Sequence, residues 1–200
     1  MMNKTLNRLF AGFLPVVVDV ETAGVNPQTD ALLEVAACVL QLKDGQLVPG
    51  DVWHEHVTPY PGLCVHQEAL DINRIIPDHP FRMALLEEEA LKSLIEFVKN
   101  HCQSQSCERA ILIGHNAHFD LEFLNQAYLR HNLTSPFHRF RVMDTVTLSM
   151  VHLGVSVLAK ALRRTRIGYD PDQAHGALYD TIQTARLFCH LYHDRSRKAK

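Results

Sequence analysis

Residues 14–20, LPVVVDV, are β-branched and almost continuously apolar, the pattern of a strand buried on both faces. A turn-like GVNP follows at 24–27, and residues 32–42 read as a second strand, closed by the hairpin signal KDG at 43–45. Residues 53–57 return as a third, so the chain opens as an antiparallel meander at the start of a mixed sheet. Between residues 82 and 98 the apolar positions Leu85, Leu86, Ala90, Leu91, Leu94, Ile95 and Val98 recur at three and four. That spacing predicts an amphipathic helix with Glu87, Glu88 and Glu89 early and Lys99 late, which suits the macrodipole at both ends. AILIG at 110–114 predicts a buried strand, and Phe119, Phe123 and Ala127 give helical spacing over 119–129; strand, short turn and helix form a parallel-sheet unit. A weak strand at 141–144, a short helix at 157–162 and a final helix over 177–192 complete the reading. The last helix is expected to place Leu178, Ile182, Ala185, Phe188 and Cys189 on one face. The fold class is α/β, a mixed β-sheet flanked by helices.

A chain of 200 residues suits one domain, with a basic tail from about residue 194. Its 46% hydrophobic and 21% charged residues exclude a disordered or fibrous class. No apolar run reaches the roughly 18 residues of a membrane span, so a soluble protein with no membrane partner is expected. The first fifteen residues lack an apolar core followed by a small-residue cleavage site, which argues against secretion. Five cysteines form no C-x-x-C pair and leave an odd thiol in any disulfide scheme; reduced thiols and a cytoplasmic location follow as expectations. The net charge of −2 provides no bulk attraction for a polyanion, so any such partner must be held by local features.

Asp19 and Glu21 interrupt the first strand at i and i+2, so both carboxylates leave one face, about 7 Å apart along the strand. Two anions in an apolar strand require a cationic side chain or a metal, and no basic residue is near in sequence. Asp120 stands just past the strand ending near Gly114, where parallel strands present ligand groups; a helix N-terminal acid would sit there equally well. Asp180 lies one turn into the last helix, with His175 five residues earlier. The H-x4-D spacing occurs at His66/Asp71, His115/Asp120 and His175/Asp180, so Gly176 and the loop before the helix, rather than spacing, single out the last. Thirteen histidines also raise structural zinc through His54/His56, His115/His118 or His190/His193. None of these joins cysteine in a four-ligand spacing, and most histidines are expected on the surface.

The runs PVVVDVETAGVNPQTDALLEVAA (15–37), IGHNAHFDLEFL (113–124) and AHGALYDTIQTARLF (174–188) resemble the three exonuclease motifs of the DEDD superfamily, in its histidine-bearing branch. The similarity runs from about residue 10 to residue 192. Within that branch the ETAG run at 21–24, the region 53–76 with its EAL, and SPFH at 135–138 are most similar to the ribonuclease T family, over oligoribonuclease or polymerase proofreading subunits. The resemblance implies a ribonuclease-H-like fold, a homodimer, and 3′→5′ trimming of single-stranded 3′ ends of stable RNAs such as tRNA. It implies two Mg²⁺ ions, with Mn²⁺ as a substitute. Asp19, Glu21 and Asp180 would hold one ion, Asp19 and (through water) Asp120 the second, and His175 would act as general base. Hard oxygen donors suit Mg²⁺ or Mn²⁺. Phe119 and Phe140 match the family's base-stacking positions and Glu68 its base-wedging acid, while Val25 and Ile72 occupy two further positions that are aromatic in the family. Backbone groups near Glu21 and Thr22 would contact the 2′-hydroxyl. Phe123 reads instead as core. Phosphate contacts are assigned to Arg139, Arg141, Arg163, Arg164, Arg166 or the tail, and Arg109 matches a basic patch that serves the partner subunit's site. A single-stranded DNA exonuclease of the same chemistry is the rival reading, and a catalytically silent RNA-binding dimer module the more distant one.

Overall fold

The computed structural model describes residues 5–198, with side chains through Asp194, so the basic tail lies outside the described side chains. Three strands open the fold, β1 (Phe13–Thr22), β2 (Leu32–Lys43) and β3 (Gln46–His56). The helix α1 (Leu6–Leu9) precedes them. After β3 come α2 (Gln67–Asn73), a 3-10 turn at Pro80–Arg82, α3 (Glu87–Ser104), β4 (Arg109–Gly114), α4 (Ala117–Arg130) and β5 (Phe137–Asp144). The helices α5 (Thr145–Leu153), α6 (Leu158–Thr165) and α7 (Ala177–Lys198) close the chain. The sheet order is β3-β2-β1-β4-β5, with β1–β2 and β2–β3 antiparallel and β1–β4 and β4–β5 parallel. This is the expected mixed sheet, opened by the expected meander.

β1 is central, and Leu14, Val16, Val17 and Val18 are fully buried there, as their continuous apolarity requires. α3 and α4 pack through Leu91, Leu94, Val98, Leu121, Phe123 and Leu124, and α7 adds Ala185, Phe188 and Cys189 to the same core. Phe123 is buried, as read from its spacing, whereas Leu178 is exposed and does not join the packed face. On the first turn of α7 it is the neighbouring Ala177 that is fully buried.

Several bounds differ from the sequence reading. α3 starts at Glu87 rather than near 82, because Leu85 is held in a strap: its N–H donates to the His56 carbonyl (2.9 Å) and its carbonyl accepts from Thr58 (2.8 Å). Glu89 then reaches back to the Leu86 N–H (3.3 Å) and starts the helix. β3 is longer than 53–57, since a bulge between Cys38 and Leu40 accommodates Pro49 and Gly50. Of the histidines only His66, His79, His118, His175 and His190 are exposed; His131, for example, is drawn in beside Arg130 to bind the buried Glu87 carboxylate (2.8 and 2.6 Å). No single helix among the described residues is long and apolar enough to cross a membrane.

Candidate active site

The parallel pairing of β1 with β4 ends at Val17 and Ile113, so beyond that point the two strands part and the Val20 N–H has no strand partner on that side. Asp120 Oδ1, from the first turn of α4, accepts it at 3.0 Å. α4 can come this close because Gly114 ends β4: a Cβ there would lie 2.9 Å from Ala117 Cα and 3.0 Å from Asp120 Oδ2. α7 is fastened from the other side, where the Thr181 hydroxyl donates to the Ala36 carbonyl on β2 (3.4 Å). The result brings carboxylate oxygens of Asp19, Glu21 and Asp180 within 4.8 Å of one another, with the buried Asp120 beside Asp19 in the same electrostatic cluster.

Among the described residues no lysine or arginine pairs with these carboxylates, and their proton affinities are raised accordingly. Burial, then the Asp120, Glu21 and Asp180 charges, hold the Asp19 carboxyl well above its ordinary range. Burial and the facing Glu34 push Glu21 to about 9. Burial pushes Asp120 to about 8 against the opposing Val20 hydrogen bond. Burial also raises Asp180, opposed by the hydrogen bond from His175 and by the His175 and His115 charges. Carboxylates disposed in this way, with no lysine or arginine paired to them among the described residues, fit an oxygen-preferring divalent cation.

His175 is exposed, with φ 65°, a left-handed backbone uncommon for a residue with a side chain. Its N–H donates to Asp180 Oδ2 (3.1 Å), which fixes the loop, while its imidazole has no hydrogen-bond partner among the described residues. The other H-x4-D pairs do not form: His115 spans the Thr145 hydroxyl (2.9 Å) and the Ser156 carbonyl (2.8 Å), and His66 turns to Asp30.

The remaining assigned positions are distributed unevenly. Phe119 is partly buried, its ring 4.9 Å from that of Phe123, and it adjoins Asp120. Glu68 is exposed on the first turn of α2, and Val25 and Ile72 are exposed apolar side chains. The Thr22 hydroxyl is not a free substrate ligand: it donates to the Gly24 carbonyl (2.6 Å), while the Thr22 carbonyl accepts from Asn73 (3.1 Å). Arg109 stands at the opposite end of β4 from Gly114, about 17 Å along the strand, so the structure does not bring it to this chain's acids. It lines a groove of about 790 Å³ with Phe140, Arg139, Pro27 and Gln28.

Three supporting residues were not read from the sequence. Asp144 accepts the N–H groups of Asn116 (3.3 Å), Ala117 (3.0 Å) and Val146 (2.7 Å), joining the starts of α4 and α5. Asn73 hydrogen-bonds Glu21. Glu34 lies opposite Glu21 in the β1–β2 register and binds His54 at 2.5 Å. An acid at the end of a weakly patterned strand, as Asp144 is, carries no sequence signal of such a role.

The chain matches the exonuclease family over residues 16–188. It is 50% identical over 188 residues to Ribonuclease T of Yersinia enterocolitica, covering 93% of this chain and 87% of the relative. It is 47% identical to Ribonuclease T of Shewanella denitrificans, covering 93% and 83%. Among solved structures, a full-length 3′-exonuclease superposes with a TM-score of 0.71 at 17% identity, over 92% of this chain and 84% of that one. Escherichia coli exonuclease I in complex with a dT13 oligonucleotide gives 0.72 at 16% identity, over 92% of this chain and 42% of that longer protein. The structural neighbours establish the ribonuclease-H-like exonuclease fold, and half-identity along nearly the whole length establishes the lineage: the chain belongs to the ribonuclease T family of exonucleases.

Proposed function

We propose that this chain is a 3′→5′ exoribonuclease that trims single-stranded 3′ ends of stable RNAs such as tRNA, acting as a cytoplasmic homodimer with two Mg²⁺ ions per site. The observation that carries this reading is the convergence of Asp19, Glu21 and Asp180 within 4.8 Å, beside Asp120, in a chain half-identical to Ribonuclease T. Asp19, Glu21 and Asp180 would hold one ion, and Asp19 with Asp120 the second; Mn²⁺ has the same donor preference. Bound there, such ions lower the pKa of water and offset charge gathering on the phosphate.

The chain's own groups do the rest. The His175 imidazole, exposed beside Asp180, takes the proton of the attacking water as general base. Phe119 and the exposed Phe140 offer faces for terminal bases, at about 1–3 kcal/mol per stacked base. Glu68 wedges the base, and Val25 and Ile72 supply apolar contact without a π-face. Arg109, remote from its own acids, serves the partner subunit's site, which accounts for an exposed arginine bordering the Phe140 groove. Five unpaired cysteines support a reducing compartment. RNA is favoured over DNA by relatives of 47–50% identity that carry the name ribonuclease.

The test is a denaturing-gel time course on a 5′-labelled hairpin RNA with a single-stranded 3′ tail, in Mg²⁺ and in EDTA, beside the DNA equivalent. Shortening from the 3′ end in Mg²⁺ only, halting near the duplex, is the expected result. Internal cuts, or tight binding without cleavage, would overturn it.

A further inference from the structure

We infer that Asp30, Cys64 and His66 form a second metal site, separate from the acid cluster, that takes a thiophilic divalent ion of the zinc class and clips the start of α2 to the β1–β2 connection. The donor atoms of the three side chains lie within 4.8 Å of one another. Their backbones are fixed before any ion arrives. Cys64 N–H donates to the Thr29 carbonyl (2.7 Å), its carbonyl accepts from Ala31 (3.0 Å), and His66 N–H donates to the Ala23 carbonyl (2.9 Å). Residues 64 and 66 therefore sit at i and i+2 of an extended segment bridged in parallel to Asp30, which sends both side chains to one side.

The chemistry of each donor fits. Asp30 is buried, and its carboxylate is oriented by the Asn26 N–H (2.9 Å) and the Thr29 hydroxyl (2.8 Å). Cys64 is exposed, whereas Cys38, Cys102, Cys107 and Cys189 are buried. The His66 Nε2 to Asp30 Oδ1 separation is 3.4 Å, long for a hydrogen bond. It matches instead the roughly 3.3 Å edge between nitrogen and oxygen ligands whose bonds to tetrahedral zinc are about 2.0–2.1 Å. Rotation of the exposed Cys64 side chain closes the third edge. Gly24 makes room for the group: a Cβ there would fall 2.1 Å from Asp30 Oδ2 and 2.7 Å from His66 Cδ2. Sulfur, imidazole and carboxylate donors select Zn²⁺ and Co²⁺ over Mg²⁺, the reverse of the all-carboxylate cluster. His66 caps α2, which carries Glu68 and Asn73, so an ion here fastens the wall of the cleft that touches Glu21.

The clip is tested by titrating Co²⁺ into reduced Asp180→Asn protein held in excess Mg²⁺. The thiolate-to-Co²⁺ charge-transfer band is followed, and Zn²⁺ is counted by elemental analysis after desalting. One equivalent of ion with a thiolate band is expected; Cys64→Ser should abolish the band, and His66→Ala should weaken binding by at least about tenfold. Both positions are exposed, so the variants should melt like the parent in EDTA. Absence of the band in the parent, or its persistence in Cys64→Ser, would overturn the site. A stoichiometric ion without a thiolate band would place it on Glu34, His54 and His56 or on the acid cluster, and would overturn it equally. The readout is spectroscopic, so it stands or falls separately from nuclease activity.

Discussion

Glu21 is opposed by Asp180 and Asp120 within its own cluster and by Glu34 across the β1–β2 ladder, and among these charges Glu34 has the largest influence on its proton affinity. Glu34 has no place in the triad, yet its charge disfavours the ionised form in which Glu21 would bind a cation. Glu34→Gln is therefore expected to tighten Mg²⁺ binding, by up to about tenfold if it relieves one pKa unit, as measured by calorimetric titration at pH 7. Weaker binding in that variant would mean that Glu34 serves the site through His54 and not through its charge. Asp180 and His175 separate differently. Asp180→Asn keeps an oxygen for the His175 N–H and should abolish cleavage while RNA binding in Ca²⁺ survives. His175→Ala leaves the carboxylates untouched and should lower kcat by about 10²–10⁴, with Mg²⁺ affinity unchanged. A single-turnover rate within a few-fold of the parent would remove His175 from the reaction.

At the scale of elements, the site depends on how α4 begins, and Asp144 decides that. Its carboxylate receives two N–H groups from the α4 start and one from α5, so it satisfies helix-terminal donors that would otherwise be unpaired. Asp144→Ala should destabilise the protein by about 1–3 kcal/mol in urea unfolding and depress cleavage through displacement of Asp120; unchanged stability would refute the clasp. Asp144 also marks where the sequence ceased to be readable. The acids of β1 stood out because an apolar strand made them anomalous, and β4 followed by α4 stood out because the period changes from continuous to helical. Asp144 ends a weak strand whose exposed Arg139, Phe140 and Arg141 give no pattern. α5 escaped because Thr145, Val146 and Thr147 open it as a β-branched run. α2 escaped because it buries no residue at all, leaving no apolar periodicity to detect. The Asp30, Cys64 and His66 group was invisible for a related reason: Asp30 and Cys64 are far apart in sequence and meet through an isolated bridge.

For the whole molecule the acid cluster is a stored cost that metal relieves, and the cost has a pH signature. Asp19, Glu21, Asp120 and Asp180 are all raised, with Glu21 at about 9 and Asp120 at about 8. In the unfolded chain the same groups lose their protons near pH 4. Between about pH 4 and about pH 9 the folded, metal-free protein thus holds more protons than the unfolded chain, and stability falls as pH rises through that window. The contribution is intact below the ordinary carboxyl range and spent above about pH 9. Mg²⁺ binds the ionised form, so it must displace these protons, and its stabilisation must grow with pH. Metal-free protein is expected to show a Tm that declines from about pH 5 to about pH 9 over the part governed by these groups. Mg²⁺ at about 100 times its Kd should restore about 2.7 kcal/mol, a rise of roughly 5–11 °C at pH 8, and much less at pH 5. Calorimetry in buffers of different ionisation enthalpy should register proton release on binding at pH 7, and Asp120→Asn should release less. If Tm is indifferent to Mg²⁺ at pH 8, or if the metal-free Tm climbs across the window, the four carboxylates are not the electrostatic unit described here, because no other arrangement of raised acids reverses that sign.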